Sequence, residues 1–339
     1  AFTLSLIESA IELTGGRITS REISAILDLG KGLLGHPIEL LDGVADVVAE
    51  LAETGRRLIV VTKGDLFHQE AKVAGSGESD VVLLHGFADS TYSWRDVASA
   101  LADRGTVVAF DRPAFGLTSR PLWPYARGDN PYTPEAQADL TVAVMDALGI
   151  DRAVLVGHSA GGGAAALAAL RHPDRVRALV LEAPAVNANL MPDWLRWVMR
   201  TPQARYLGPL AARALPLSAP MLIRQAWHDP TTLTPEDLAG FARPFGLCNW
   251  DRALWELVAA GTPANIADRL DTLDIPILLV TGDDDRVVPT AETLRLARVL
   301  PDAELIVVPR CGHVVHEECT DAFTLAVERF LQGLDGGPT

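Results

Sequence analysis

Cysteine is scarce in this chain. Its 339 residues include only Cys248, Cys311 and Cys319, all in the last third. Their spacing fits no metal-binding pattern, and an odd number in a chain of this length predicts reduced thiols and a cytoplasmic setting. Cys311 lies two residues before His313, where a reactive thiol would fit, but a small packed side chain is the simpler interpretation.

Positive charge is also in short supply. Lys and Arg total 29 against 44 Asp and Glu, for a net charge of -15. This excess disfavours a phosphate backbone and an anionic membrane surface as partners, and no basic patch offsets it. It favours neutral or apolar substrates, although one local cationic pocket could reverse that preference. We expect no nucleic-acid partner and leave a homo-oligomer open.

Long apolar runs are missing too. None is long enough to span a bilayer, and the N-terminal residues lack the basic region of a signal peptide while soon meeting Glu8 and Glu12. The sequence therefore predicts no membrane partner.

What the chain does have is apolar material for a sizeable core, since 48% of its residues are hydrophobic. Short apolar runs alternate with helical segments, which is typical of an α/β protein with a mostly parallel sheet. The predicted strands of this alternating part are Val81–His85, Val107–Asp111, Ala153–Gly157, Val176–Glu182, Ile275–Thr281 and Glu304–Pro309.

Residues 185–270 interrupt that alternation with a helical segment. It is rich in tryptophan, including Trp194, Trp197 and Trp227. A helical insertion between sheet strands predicts a cap over an active site, and these three side chains are candidate pocket walls. Packing of the cap onto the core explains each of them equally well.

A serine stands at the centre of the chain's chemistry. The run AVLVGHSAGGG, residues 153–163, places Ser159 in a G-x-S-x-G frame between a predicted strand and a predicted helix. A serine hydroxyl needs a base within hydrogen-bond reach, and that base needs an orienting carboxylate. Two later segments, IPILLVTGDDDRVVP and ELIVVPRCGHVVHEE, place acids and histidines directly after buried strands.

These segments, with HGFADS at residues 85–90, resemble the α/β-hydrolase fold superfamily over about residues 66–333. The resemblance implies an eight-stranded, mostly parallel sheet with helices on both faces and a helical cap after the sixth strand. Its G-x-x-D-x-x-x-P pattern selects Asp285 as the acid, with Asp284 and Glu182 as alternatives. Its Gly-His pair selects His313 over His316 as the base.

The same resemblance implies an oxyanion hole. The residue after the nucleophile, Ala160, supplies one backbone N–H, and Phe87 of the H-G-x motif supplies the other. We expect His85 and His158 to be structural.

A serine nucleophile excludes the branches of that superfamily that use aspartate. The resemblance then implies a carboxylesterase-like enzyme that acts on esters of small to medium apolar acyl groups, without cofactor or metal. Carbon–carbon bond hydrolases, lactonases and perhydrolases are alternatives, and a non-catalytic ligand receptor or scaffold is an alternative of another class.

Residues 1–56 form a separate helical segment ahead of a core at 57–184 and 271–333. The stretch ELLDGVADVVAELAETGRRLIVVTKGD is similar to part of the haloacid dehalogenase superfamily, with Thr62 at the phosphate-binding position. That superfamily needs an aspartate nucleophile in a D-x-D pair, and none precedes Thr62. We interpret the segment as a fragment without a nucleophile.

Overall fold

The computed structural model describes residues 80–102, 105–125, 129–186, 191–213, 215–261, 266–300 and 302–335. Within them six strands form one sheet of order β2-β1-β3-β4-β5-β6, and every neighbouring pair is parallel. The strands are β1 (Val81–Leu84), β2 (Val107–Ala109), β3 (Ala153–His158), β4 (Val176–Glu182), β5 (Ile277–Gly282) and β6 (Glu304–Val308). The predicted α/β fold is confirmed. The two remaining strands of the expected eight would precede β1, at residues 58–62 and 66–73, and these residues and the segment 1–56 lie outside the described part of the chain.

Helices flank the sheet and fill the segment between β4 and β5. They are α1 (Arg95–Leu101), α2 (Pro134–Ala147), α3 (Ala160–Arg171), α4 (Asp193–Met199), α5 (Pro202–Leu207), α6 (Pro209–Ala212), α7 (Leu215–Ala226), α8 (Pro235–Ala242), α9 (Trp250–Ala260), α10 (Thr290–Val299), α11 (Val315–Glu318) and α12 (Thr320–Asp335). Helices α4 to α9 all lie between β4 and β5. In the described part of the chain no helix has the length and hydropathy to cross a membrane.

Alternate residues of the strands supply two separate cores. On β1, Val82 and Leu84 join a cluster with α2, α3 and α10, whereas Val81 and Leu83 join a cluster with α1 and α12. Side chains of a strand point to opposite faces in turn, so a strand covered on both faces must be apolar throughout. This explains why all four residues of β1 are fully buried.

The topology brings the candidate residues to one edge. In parallel strands the carboxyl ends share an edge, and ligand sites of open α/β sheets lie there. Ser159 follows β3, Asp285 follows β5 and His313 follows β6. The sheet therefore gathers residues that are far apart in sequence.

One arginine connects the helices between β4 and β5 to this edge. Arg95 donates through Nη2 to Asp237 Oδ1 of α8 at 2.8 Å and through Nη1 to Glu317 Oε2 of α11 at 2.9 Å. Thr234 and Asp237 form a capping box at the start of α8, which holds the Asp237 carboxylate in place.

Candidate active site

The turn at Ser159 has the strained backbone expected of a nucleophile elbow. Its φ and ψ are 51° and -116°, a left-handed φ that costs a non-glycine residue free energy. The two glycines two residues away on either side permit the sharp turn: a Cβ on Gly157 would lie 2.5 Å from the Gly161 oxygen, and one on Gly161 would lie 2.0 Å from the Leu84 oxygen. Ser159 N–H donates to the Glu182 carbonyl at 2.8 Å, which fixes the turn to β4.

The structure pairs His313 with Asp285. His313 Nδ1 lies 2.8 Å from Asp285 Oδ2, and the N–H groups of Val287 and Val288 donate to the other carboxylate oxygen at 2.8 and 2.9 Å. A carboxylate accepts, so the proton on the ring belongs on Nδ1 and Nε2 is left to act as a base. His313 is held from behind by its own N–H, which donates to the Ala226 carbonyl.

The alternative acids have other partners. Asp284 faces solvent and pairs with His228 and Arg286; the hydrogen bond from His228, followed by that from Arg286, lowers the pKa of Asp284. Glu182 pairs with His316. Of the three predicted candidates, Asp285 is the one placed beside His313, and its catalytic role stays a prediction.

His158, the residue before Ser159, lies against the His313 ring. The His158 and His313 rings are 4.7 Å apart between centroids, and His158 directly precedes the serine. Ser159 Oγ makes no hydrogen bond with any residue that the structure describes. Catalytic hydrogen bonds are often long before substrate binds, so we expect the Ser159–His313 contact to tighten with substrate in place.

A buried arginine, Arg112, fixes the loop that carries Phe87 through hydrogen bonds. Arg112 Nη2 donates to the carbonyls of His85 and Gly86 at 2.7 and 3.1 Å, and Arg112 N–H donates to His85 Nε2 at 3.1 Å. Burial, and then the charge of Arg112, lowers the pKa of His85 well below its usual range. His85 is therefore neutral. Sequence reasoning missed this role of Arg112, because no local pattern indicates it.

Gly86 brings this loop against the elbow. A Cβ at Gly86 would lie 2.8 Å from His158 Nδ1 and 3.6 Å from Ser159 Cβ, so the close approach requires glycine. The predicted donors Phe87 and Ala160 thus lie on two segments in contact. As the first residue of α3, Ala160 has no acceptor within its helix for its N–H.

A second histidine–carboxylate pair lies beneath the first. His316 Nδ1 is 2.8 Å from Glu182 Oε2, and both side chains are fully buried. The Trp94 ring stacks on His316 with centroids 4.2 Å apart. Burial alone lowers the pKa of His316, but the neighbouring carboxylates, Glu182 first and then Glu317 and Asp89, together raise that pKa.

The three tryptophans predicted to line the pocket differ in their exposure. Trp227 is buried in a cluster with Phe241 and Val314, whereas Trp194 and Trp197 on α4 are 67% and 71% exposed. Their contact with substrate stays a prediction. A small pocket of about 20 Å³ borders the Phe87 loop instead, and neither Ser159 nor His313 lines it. Its aromatic walls, which sequence reasoning missed, are Phe115, Phe245 and Trp250.

The prediction of three reduced thiols was wrong. Cys311 and Cys319 form a disulfide with their Cα atoms 6.4 Å apart, and Cys248 is the free, exposed thiol. The short helix α11 turns the chain back after His313, which returns Cys319 to Cys311. The cysteine count therefore no longer supports a cytoplasmic setting.

Comparison with known proteins identifies the fold family of the chain. A sequence model of the α/β-hydrolase fold matches residues 81–319. The putative carbamate hydrolase RutD of Caulobacter sp. (strain K31) is 32% identical over 280 residues, which cover 80% of this chain and 97% of that protein.

Two further similar proteins are hydrolases of another substrate class. The 2-hydroxy-6-oxononadienedioate/2-hydroxy-6-oxononatrienedioate hydrolase of Pseudomonas sp is 31% identical, over 84% of this chain and 99% of that protein. A mutant of the meta-cleavage product hydrolase CumD of Pseudomonas fluorescens IP01 superimposes with a TM-score of 0.62 at 26% identity, over 76% of this chain and 92% of that one.

Proposed function

Since this chain belongs to the α/β-hydrolase fold family, we propose that it is a serine hydrolase that cleaves carboxylic esters of small to medium apolar acyl groups. The observation that supports this most is the Asp285–His313 pair, which leaves His313 Nε2 free to act beside the strained elbow of Ser159. A buried carboxylate, an oriented imidazole and an elbow serine are the three parts that acyl transfer needs.

In the proposed reaction Ser159 Oγ attacks the ester carbonyl and its proton passes to His313 Nε2. The backbone N–H groups of Phe87 and Ala160 donate to the oxyanion, each stabilising the transition state by about 2.7–4 kcal/mol. His313 then gives its proton to the leaving alcohol. A water molecule, deprotonated by His313, attacks the acyl-enzyme and releases the acid.

The walls of the small pocket beside the Phe87 loop support an apolar group on the substrate. Phe115, Phe245, Trp250 and Leu254 line it. Apolar and aromatic walls with few polar groups are typical of small-molecule sites.

A second candidate is the hydrolysis of a carbon–carbon bond in an anionic ketone. Arg120 lines the same pocket; its two terminal nitrogens donate to the Thr118 and Gly116 carbonyls, and its buried Nε has no partner among the described residues. A guanidinium at the pocket wall would suit a carboxylate on the substrate. The similar Pseudomonas proteins, hydrolases of such acids by name, favour the same candidate.

A substrate panel separates these candidates. Purified full-length protein is assayed with p-nitrophenyl acetate, butyrate and octanoate, with an aryl carbamate, and with 2-hydroxy-6-oxo-6-phenylhexa-2,4-dienoate. We expect ester turnover that falls by about 10⁴-fold or more in Ser159→Ala. Turnover of the dienoate above the esters, lost in Arg120→Gln, would replace the ester proposal by the second candidate. No turnover of any compound would indicate a receptor.

A further inference from the structure

A cluster of nitrogen and oxygen donors lies behind the elbow. Asp89, His158 and His316 each offer one ligand atom, and the three atoms lie within 4.8 Å of one another. We propose that this cluster is a buried site for a divalent transition-metal ion, Zn²⁺ by its donor chemistry, which fastens together the three segments of the active site.

The histidines lack partners that a metal would supply. Both ring nitrogens of His158 and Nε2 of His316 are buried without a hydrogen bond to any described residue. The two residues are 4% and 0% exposed, so bulk water does not satisfy these atoms. A buried polar atom left unpaired destabilises the folded state, and here such atoms share one place. A bound cation would satisfy one nitrogen of each ring.

The surroundings of His316 are those of a metal ligand. Glu182 Oε1 accepts from His316 Nδ1 at 2.9 Å, which directs Nε2 away from it. A carboxylate on the second nitrogen is the usual support of a histidine bound to zinc. Glu317 lies beside the cluster, with its Oε1 3.8 Å from His316 Nε2 and its Oε2 accepting from Arg95, so a water molecule would complete the coordination of the ion.

The local charge also fits a divalent cation. The acidic groups are Asp89, Glu182, Glu317 and Asp237, and the guanidinium groups coupled to them are Arg95 and Arg112. Acidic groups therefore outnumber guanidinium groups around the cluster. Two imidazoles and one carboxylate, with a water molecule as fourth ligand, suit tetrahedral Zn²⁺ with bonds of about 2.0–2.2 Å. We expect the distances between donor atoms to shorten by up to about 1.5 Å on binding, because ligand atoms of such a site lie about 3.3 Å apart.

The placement gives the ion a structural purpose. Asp89 lies two residues after Phe87, His158 directly precedes Ser159, and His316 lies three residues after His313. One ion would therefore connect three segments: the loop that carries Phe87, the turn at Ser159 and the loop that carries His313. It would bind no substrate and take no part in the acyl transfer.

Metal titration of the full-length protein tests the site. The protein is stripped with a chelator, its exposed Cys248 thiol is alkylated, and Co²⁺ is added, followed by Zn²⁺. We expect one Co²⁺ per chain with visible absorption, displacement by one Zn²⁺, and a higher melting temperature with Zn²⁺. Asp89→Asn should weaken binding at least 100-fold, and Glu182→Gln by about 10–100-fold, the usual effect of losing a supporting carboxylate.

His172→Ala is the matched control, because His172 and Asp139 form a partly exposed pair on the surface at 2.7 Å. It should leave Co²⁺ binding unchanged. Glu317→Gln is a second cluster variant, expected to weaken binding at least tenfold, in case Asp89→Asn does not fold. Wild-type binding no tighter than that of the cluster variants, or binding lost in His172→Ala, would overturn the proposal. These readouts do not use turnover, so they stand apart from the proposed hydrolase function.

Discussion

The segment after β6 carries two histidines, His313 and His316, and each of them pairs with a carboxylate. The two pairs are suited to different tasks. In both pairs Nδ1 of the ring bonds to the carboxylate, at 2.8 Å for His313–Asp285 and at 2.9 Å for His316–Glu182. The His313 side chain keeps 6% of its surface exposed beside the elbow, whereas His316 is fully enclosed under Trp94. Hydrogen-bond geometry alone therefore does not identify a base, because access for substrate separates the two pairs.

The largest effect on activity is expected from replacing Asp285, the carboxylate that pairs with His313. In Asp285→Asn the amide no longer holds the proton on His313 Nδ1, and we expect kcat to fall by about 10⁴-fold. Steady-state kinetics on the best substrate of the panel measures it. Asp284→Asn is the adjacent control and should change kcat less than threefold, because Asp284 pairs with His228. A greater loss in the control would reverse the assignment.

Breaking the His316–Glu182 pair should lower the free energy of unfolding. Glu182→Gln leaves His316 buried without its counter-charge, and breaking such a pair costs about 3–5 kcal/mol. Urea unfolding of metal-free protein measures the loss in the free energy of unfolding. The folded fraction should keep kcat within about tenfold of wild type. A kcat loss as large as that of Asp285→Asn, with stability intact, would mean that the His316–Glu182 pair is catalytic.

His85 is a buried histidine whose hydrogen-bond partners in the described residues are backbone groups, the Gly86 carbonyl and the Arg112 N–H. Because burial and Arg112 lower its pKa, the unfolded chain binds a proton below about pH 6.5 that the folded chain does not. Stability should therefore fall as pH drops below that value, by up to about 1.4 kcal/mol per pH unit for this group. Unfolding curves at pH 5, 6 and 7 should show that the free energy of unfolding falls less with decreasing pH in His85→Asn than in wild type. An equal slope in both proteins would show that His85 is not the group responsible.

The smallest effect concerns the tryptophans between β4 and β5. Trp197 is 71% exposed, so Trp197→Ala should change KM less than twofold and stability by about 0.5 kcal/mol or less. Trp250 lines the pocket, and Trp250→Ala should raise KM several-fold. The opposite ranking would restore the sequence-based prediction that Trp197 contacts substrate.

Local pattern was enough to predict the fold and the elbow. Thr133 caps α2 with Pro134 in its first turn, as its sequence signature indicates. The turn at Ser159 follows from glycines whose added Cβ atoms would meet backbone. Such features depend on neighbours in the chain, so periodicity and turn chemistry reveal them.

Contacts between distant residues could not be predicted in this way. Glu182 and His316 are 134 residues apart and meet only because of the order of the strands. Both entered the sequence analysis as alternatives for the catalytic groups, and nothing there showed that they pair with each other. Arg112 and the Cys311–Cys319 disulfide likewise follow from the fold of separate loops.

Covalent labelling tests the central claim, that Ser159 is the nucleophile and His313 its base, whatever the natural substrate is. The full-length protein is treated with a fluorophosphonate and analysed by intact mass and peptide mapping. We expect one adduct per chain, on Ser159, with none in Ser159→Ala, a rate about 10³-fold lower in His313→Ala, and a rate within about tenfold of wild type in Glu182→Gln. An adduct on another residue, or an unchanged rate in His313→Ala, would contradict the account.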